Sequence, residues 1–298
     1  MARRHFNMNK LTRGEKVFQA INTVFLIFML IITMYPFWYI IVASVSSNTE
    51  VLQANGKMLW PRGFNVSAYK EVLKYASIWT GYKNTIFVLI VGTLISIILT
   101  AIGGYFLSRK NVFFQKYIAI AIVITMYFSG GIIPFYFTVK DLGLDGSLWS
   151  LILPTAISTY NLIIMRTAFA AIPDSLEESA KIDGARHFTI LFRIMLPLCI
   201  PTVAVLILYY AVGYWNSWFN ASLFLTDRGT FPLQLILREI ILYNTGDANS
   251  AAASVDKEDI SETLQYATII VSTVPILCIY PFLQKYFAKG VMVGAIKG

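Results

Sequence analysis

Charge is what this sequence has least of. Only 13% of its 298 residues are Asp, Glu, Lys or Arg, against about 25% in typical soluble domains. Sulfur and imidazole are scarcer still, with two cysteines and two histidines. Cys199 and Cys278 both fall in apolar runs and suggest no disulfide framework or metal site. His5 and His187 are solitary and read as interfacial or packing residues. No G-x-x-x-x-G-K-[ST] phosphate loop occurs, so the chain is not its own ATPase. What is abundant is apolar: 57% of the residues are hydrophobic, in runs too long for a soluble core of this size. The composition is that of an all-α polytopic membrane protein.

Six runs are expected to span the bilayer, at about 20–42, 84–107, 117–138, 148–165, 199–225 and 265–283. None contains Asp, Glu, Lys or Arg. Ion-driven transporters usually carry such residues at mid-membrane, and their absence disfavours a self-powered transporter. A membrane-bound enzyme would need an intramembrane cluster of His, Asp, Glu or Cys, and none is visible. The first run exceeds the ~7–15 apolar residues of a signal peptide and reads as a true span. Gly130, Gly131 and Pro134 interrupt the third. Ser129 to Pro134 is either a broken helix near a pathway or a packing kink.

Orientation follows from charge. With an inside N-terminus, the inner segments hold 15 of the 24 lysines and arginines and 5 of the 16 acids. That is the sense of the positive-inside rule, with both termini cytoplasmic and 44–83, 139–147 and 226–264 outside. The net charge of +8 is therefore topology, not a nucleic-acid surface. Short interfacial helices are expected in 44–83, and a flexible Ala-rich loop near Ala251.

The fifth run carries the most polar intramembrane group: Tyr209, Tyr210, Tyr214, Trp215, Asn216, Trp218 and Asn220. Tyr209, Gly213, Asn216 and Asn220, spaced +4, +3, +4, are expected on one helical face. Buried amides need partners. A sugar's hydroxyls and C–H faces would supply them, and so would interhelical bonds plus an interfacial aromatic belt. Tyr209, Tyr214, Trp215, Asn216 and Asn220 are the candidate substrate-pathway residues.

Residues 174–201 are the longest polar interruption of the second half that keeps a helical pattern. Ser175 with Glu178 three residues on has capping-box spacing, and Gly184 predicts a corner. A second helical piece then puts Phe188, Leu191, Phe192 and Met195 on one side and stops at Pro197. Within it, Glu178-Ser179-Ala180, three residues, Gly184, nine residues, then Ile194-Met195-Leu196-Pro197 resembles the EAA loop of importer-type ABC permeases. That pattern is E-A-A-x3-G-x9-I-x-L-P, with Ser179 the one departure. Phe128 to Pro134, Leu142-Gly143-Leu144, Asn161 to Arg166 and the ending Lys289 to Gly298 resemble the carbohydrate-importing branch, related to the smaller maltose permease subunit and similar to alginate importers.

The resemblance implies a type I ABC importer permease fold with six transmembrane helices: a tail, first span and outer loop over 1–80, a permease core over 81–284, and a cytoplasmic tail over 285–298. It implies a bacterial inner-membrane complex with a second permease, two cytoplasmic ATPases that hold the ATP, and an extracytoplasmic sugar-binding protein. This chain itself binds no cofactor or metal on that reading. Glu178, Ser179, Ala180, Asp183, Gly184, Ile194, Leu196 and Pro197 are then the ATPase-coupling residues, with Glu178 pairing with an ATPase cation. Glu177, about 100° round the helix, is expected to matter less. The tail from Gly290 would reach toward the ATPases.

Overall fold

A 32-residue helix opens the chain because its N-terminus is closed on itself. Thr12 caps α1 (Arg13–Ser44): its hydroxyl accepts the Glu15 N–H, and the Glu15 carboxylate accepts the Thr12 N–H at 2.7 Å. At 1.5 Å per residue α1 runs about 48 Å, more than the ~30 Å of hydrocarbon. None of its apolar window is buried within the protein, so those side chains face lipid or a partner. The structure, a computed structural model, describes residues 12–109, 112–244 and 262–295, with side chains at all of these except 243–244 and 279–295. Among the described residues every regular element is helical. The expected loop at Ala251, His5 and the side chains of the C-terminal tail lie outside them.

The chain divides into two units, one of residues 1–72 with 257–270, the other of 73–256 with 271–298. In the first, α1 is followed by α2 (Asn48–Ala54) and α3 (Ser67–Lys74), the short helices expected in this loop. Val42, Ala43, Val51 and Met58 form its core, with Tyr39, Ala54 and Tyr266 against them. The Ser46 hydroxyl donates to the Val42 carbonyl and accepts the Arg62 N–H. These bonds turn the chain back beside the end of α1.

The second unit is built around α4 (Ala76–Ser108). This helix begins eight residues before the expected start at residue 84, because Trp79, Tyr82 and Lys83 extend it through the polar boundary. One face of α4 is a stripe of small residues, all buried: Gly81, Thr85, Val88, Gly92, Ser96, Thr100 and Gly104. Without a hydrophobic force between helices in lipid, such stripes are what lets backbones approach. A Cβ on Gly104 would lie 2.8 Å from Met165 Cγ, and one on Gly92 would lie 2.7 Å from the Tyr214 ring. At the other end Asn84 Nδ2 donates to the Gly229 and Phe231 carbonyls, and Thr85 Oγ1 accepts the Leu233 N–H.

Around α4 the runs expected as the third, fourth and fifth spans are helical but interrupted. The third is α5 (Gln115–Tyr127) and α6 (Ile132–Asp141), bent by 117° at the Gly131 break, where φ is +88°. The fourth is α7 (Trp149–Ile152), a tight turn at Leu153–Thr155, and α8 (Thr159–Ala170). Pro154 has no N–H to continue the ladder there. After α9 (Asp174–Ile182), α10 (His187–Ile190) and α11 (Leu196–Leu198), the chain bends by 90° into α12 (Ile200–Trp215). A break at Asn216–Ser217 separates α12 from α13 (Trp218–Phe224), followed by α14 (Leu233–Asn244) and α15 (Glu262–Ala295). Among the described residues α1 and α4 are each long and apolar enough to cross a membrane, and four spans result if each bent pair counts as one.

Candidate coupling loop and membrane cavity

The loop expected between the fourth and fifth spans is folded, not merely polar. The expected Ser175 capping box is not made: α9 starts from Pro173, with no side-chain cap, and Ser175 lies inside the first turn. Proline sets the entry φ without needing a capping hydroxyl, and Asp174 and Glu177 face the positive end of the helix dipole. The C-terminus is closed as the glycine predicts. Gly184 sits at φ +80°, its N–H reaches the Lys181 carbonyl at 3.0 Å, and the Ala185 N–H reaches Ala180 at 2.9 Å. That is a Schellman closure. Nothing lies within 4 Å of a Cβ built on Gly184, so backbone conformation, not space, requires glycine.

Beyond the corner, the expectation of one shared apolar face needs correcting. Ile190, Leu191 and Met195 are buried, whereas Phe188 is 65% exposed and stacks on Phe192, also exposed. Leu191–Met195 forms a single wide turn, whose i→i+5 bonds displace the face that a 3.6-residue period would bury. Ala180, Ile190, Leu191, Met195 and Cys199 share one core with Ala101 and Tyr105 of α4, Met165 and Phe169 of α8, and Leu206 of α12. The loop is thus seated on the ends of three helices.

Of the predicted coupling residues, Glu178, Ser179, Asp183, Gly184 and Pro197 are exposed, Ile194 and Leu196 are half-buried, and Ala180 is buried. Glu178 and Ser179 stand on the open side of the loop with Leu176 and Ile182, the latter 87% exposed. Glu177 faces inward and is only 5% exposed. It forms an ion pair with Arg109 and a second with Lys181 at 2.8 Å, and accepts the Tyr105 hydroxyl at 3.2 Å. Burial pushes its carboxyl up. The hydrogen bonds and charges of Lys181 and Arg109 more than offset this and hold it below the ordinary carboxylate range. The neighbour expected to matter less than Glu178 is thus bonded to the end of α4.

The second feature is a cavity of about 720 Å³ between α8, α12 and α13. Tyr209, Gly213, Asn216 and Asn220 all line it, although the helix breaks before Asn220 and they share no single continuous face. Tyr214 is also in the lining, with its hydroxyl bonded to Ser96 at 2.9 Å. Trp215 is buried and outside the lining. Sequence reasoning missed Ser158, Tyr160 and Asn161 at the start of α8. The signal was there in a Ser-Thr-Tyr-Asn run inside an apolar span. No lining residue is charged, and the Ser217 hydroxyl in the wall has no hydrogen-bond partner among the described residues. Tyr210 fixes the wall, sharing a hydrogen bond with Thr100 at 2.7 Å and accepting the Ser158 N–H.

Among the described residues, all of whose regular elements are helical, a cavity without charged lining residues and a folded loop seated on α4, α8 and α12 stand side by side. The chain belongs to the family of binding-protein-dependent transport system inner membrane components, which matches residues 113–293. It is 39% identical over 285 residues to the polygalacturonan/rhamnogalacturonan transport system permease protein YtcP of Bacillus subtilis (strain 168), covering 95% of this chain and 99% of that one. It is 38% identical over 287 residues to protein LplC of the same organism, covering 96% and 97%. Its fold matches a chain of a bacterial ABC transporter involved in import of the acidic polysaccharide alginate, with a TM-score of 0.85, 32% identity, and coverage of 93% and 99%.

Proposed function

We propose that this chain is the membrane-spanning subunit of an ATP-driven importer that moves an oligo- or polysaccharide across the bacterial inner membrane by alternating access. One observation carries the reading: the cavity wall combines hydroxyls, amides and aromatic faces and holds no Asp, Glu, Lys, Arg or His. Amides and hydroxyls there would meet sugar hydroxyls, and the tyrosine rings would pack on C–H faces. The polygalacturonan/rhamnogalacturonan permease relative and the alginate-transporter fold support the saccharide class.

In this proposal the chain crosses the membrane six times, as the expected spans suggest, with both termini and the 174–197 loop in the cytoplasm. Residues 81–284 form the permease core. A second permease completes the route, two ATPases dock on the loop and hold the ATP, and an extracytoplasmic binding protein delivers the sugar. Glu178, Ser179, Asp183 and Gly184 would make the docking face, with Ala180, Ile194, Leu196 and Pro197 shaping it. The apolar side chains beside them, Leu176, Ile182 and Phe188, support a partner that buries them.

The test is ATP hydrolysis by the purified complex in proteoliposomes with its binding protein, read against a panel of saccharides, amino acids and phosphate. Stimulation by oligosaccharides is expected. Stimulation only by an amino acid or an inorganic anion would assign the permease to another solute and overturn the reading.

A further inference from the structure

The ion pair behind the loop reaches further than the loop. Glu177 is buried and its partner is half-buried, the Arg109 side chain being 11% exposed. Arg109 follows the last residue of α4 and is itself tied in three ways. Its Nη2 donates to the Phe169 carbonyl at 3.1 Å, its Nε to the Ser108 hydroxyl at 3.0 Å, and its guanidinium lies over the Tyr105 ring. Beside it, Arg166 Nε of α8 donates to the Leu107 carbonyl at 3.2 Å. The Tyr105 hydroxyl bonds both Glu177 and the His187 ring at the start of α10. Both halves of the loop are therefore fastened to one end of α4.

Two and three turns further along, α4 is fastened to the cavity wall. Thr100 and Ser96 bond the hydroxyls of Tyr210 and Tyr214, both of which line the cavity. Between these attachments α4 is one unbroken helix. Its small-residue face lies too close to its neighbours to slide without repacking. A displacement of α9 has a continuous charged and hydrogen-bonded route into the cavity.

We infer that Glu177 and Arg109 form a strut that converts movement of the docking loop into movement of α4 and the cavity wall, an inference that rests on the importer reading above. Glu178 faces outward to hold the ATPase; Glu177 faces inward to transmit what the ATPase does. Both are positioning residues, and their losses have different signatures. Without Glu178, ATPase is lost from the complex. Without the strut, ATPase is kept and continues to turn over, but its work no longer reaches the cavity.

The experiment uses the whole complex in proteoliposomes with its binding protein, and compares Glu177→Gln, Arg109→Gln, the double variant and Glu178→Ala. Three quantities are read: retained ATPase, ATP hydrolysed, and sugar taken up. Coupling between sites is typically ~5–150-fold, so Glu177→Gln should raise ATP spent per sugar by about tenfold, with ATPase retention unchanged. The double variant should be no worse than either single one, because both remove the same link. Uptake and hydrolysis falling in parallel, or a wild-type ratio of ATP to sugar, would overturn the strut. If Glu177→Gln does not accumulate, Glu177→Asp, which keeps the charge and shortens the reach, is read against the same ratio. Normal retention and uptake in Glu178→Ala would instead sink the docking reading itself, which separates the two failures.

Discussion

Glu177 of α9 and Arg109 at the end of α4 lie 68 residues apart in the chain and form a largely buried ion pair, Glu177 fully and Arg109 partly out of water. Its neighbour Glu178 is exposed. One helical step of about 100° separates a carboxylate that holds the loop to its own protein from one free to meet another.

For Glu178, truncation should weaken docking and leave the permease intact. Removing one member of a desolvated charge pair typically costs ~2–5 kcal/mol, which is about thirty-fold or more in affinity. Glu178→Ala is expected to insert normally, lose ATPase on purification and fail in uptake. The ATPase-to-permease ratio in purified membranes checks this, and a wild-type ratio with normal uptake would reject it.

For Glu177 the effect is on stability and depends on pH. Its carboxyl is lowered from 4.5 in the folded protein, so the unfolded state binds the proton more readily. Its contribution is present above pH 4.5 and is lost as pH falls below that, through the lowered folded value. Thermal unfolding of the detergent-solubilised complex should fall over that acid window in the wild type, and less steeply in Glu177→Gln. Parallel curves would show that the pair does not stabilise the loop.

Two glycines should fail for different reasons. Gly104→Ala drives a Cβ to 2.8 Å from Met165 Cγ and 3.2 Å from the Arg166 nitrogen, an overpacking that typically costs ~1–3 kcal/mol. Gly184→Ala meets empty space but must hold φ +80°, at roughly 1–2 kcal/mol. Gly184→Asn should restore most of the second loss, since Asn tolerates the left-handed region, and Gly104→Asn should worsen the first. Melting temperatures of the four variants decide it; equal behaviour at both sites would show that neither argument holds.

In the cavity, Asn216 and Asn220 are the amides whose removal should be felt by substrate. Asn216 already spends one donor on the Val212 carbonyl, so a single change should be milder than two. The Asn216→Leu/Asn220→Leu variant should assemble with its partners and lose most sugar uptake. Wild-type uptake would return these residues to helix packing.

Topology can be read chemically. With Cys199 and Cys278 replaced by Ser, a single cysteine at residue 249 should label with an impermeant thiol reagent in sealed cells, and one at residue 7 should not. The reverse pattern would invert the charge-based orientation.

Much of this protein is determined by sequence alone, and the reason is solvent. Lipid tolerates neither charge nor unpaired backbone, so uncharged runs were bound to be helical, and Gly131 marked the break of the third; the turn at Pro154 was not read from the sequence. The loop motif was equally legible, because Gly184 is demanded by a local φ and needs no tertiary partner. What sequence could not decide is which side of each helix matters. A span in lipid is apolar all round, so the face of α4 that packs shows only as small residues at four-residue spacing, whose partners Met165 and Tyr214 are far along the chain. For the same reason Tyr214 gives its hydroxyl to Ser96 and Trp215 is buried away from the cavity, while Ser158, Tyr160 and Asn161 reach it from another helix. Glu177 and Glu178 are chemically identical neighbours in the chain. Only the position of Arg109, brought beneath the loop by the close approach of α4 to α8, makes one of them a buried anchor and leaves the other in water.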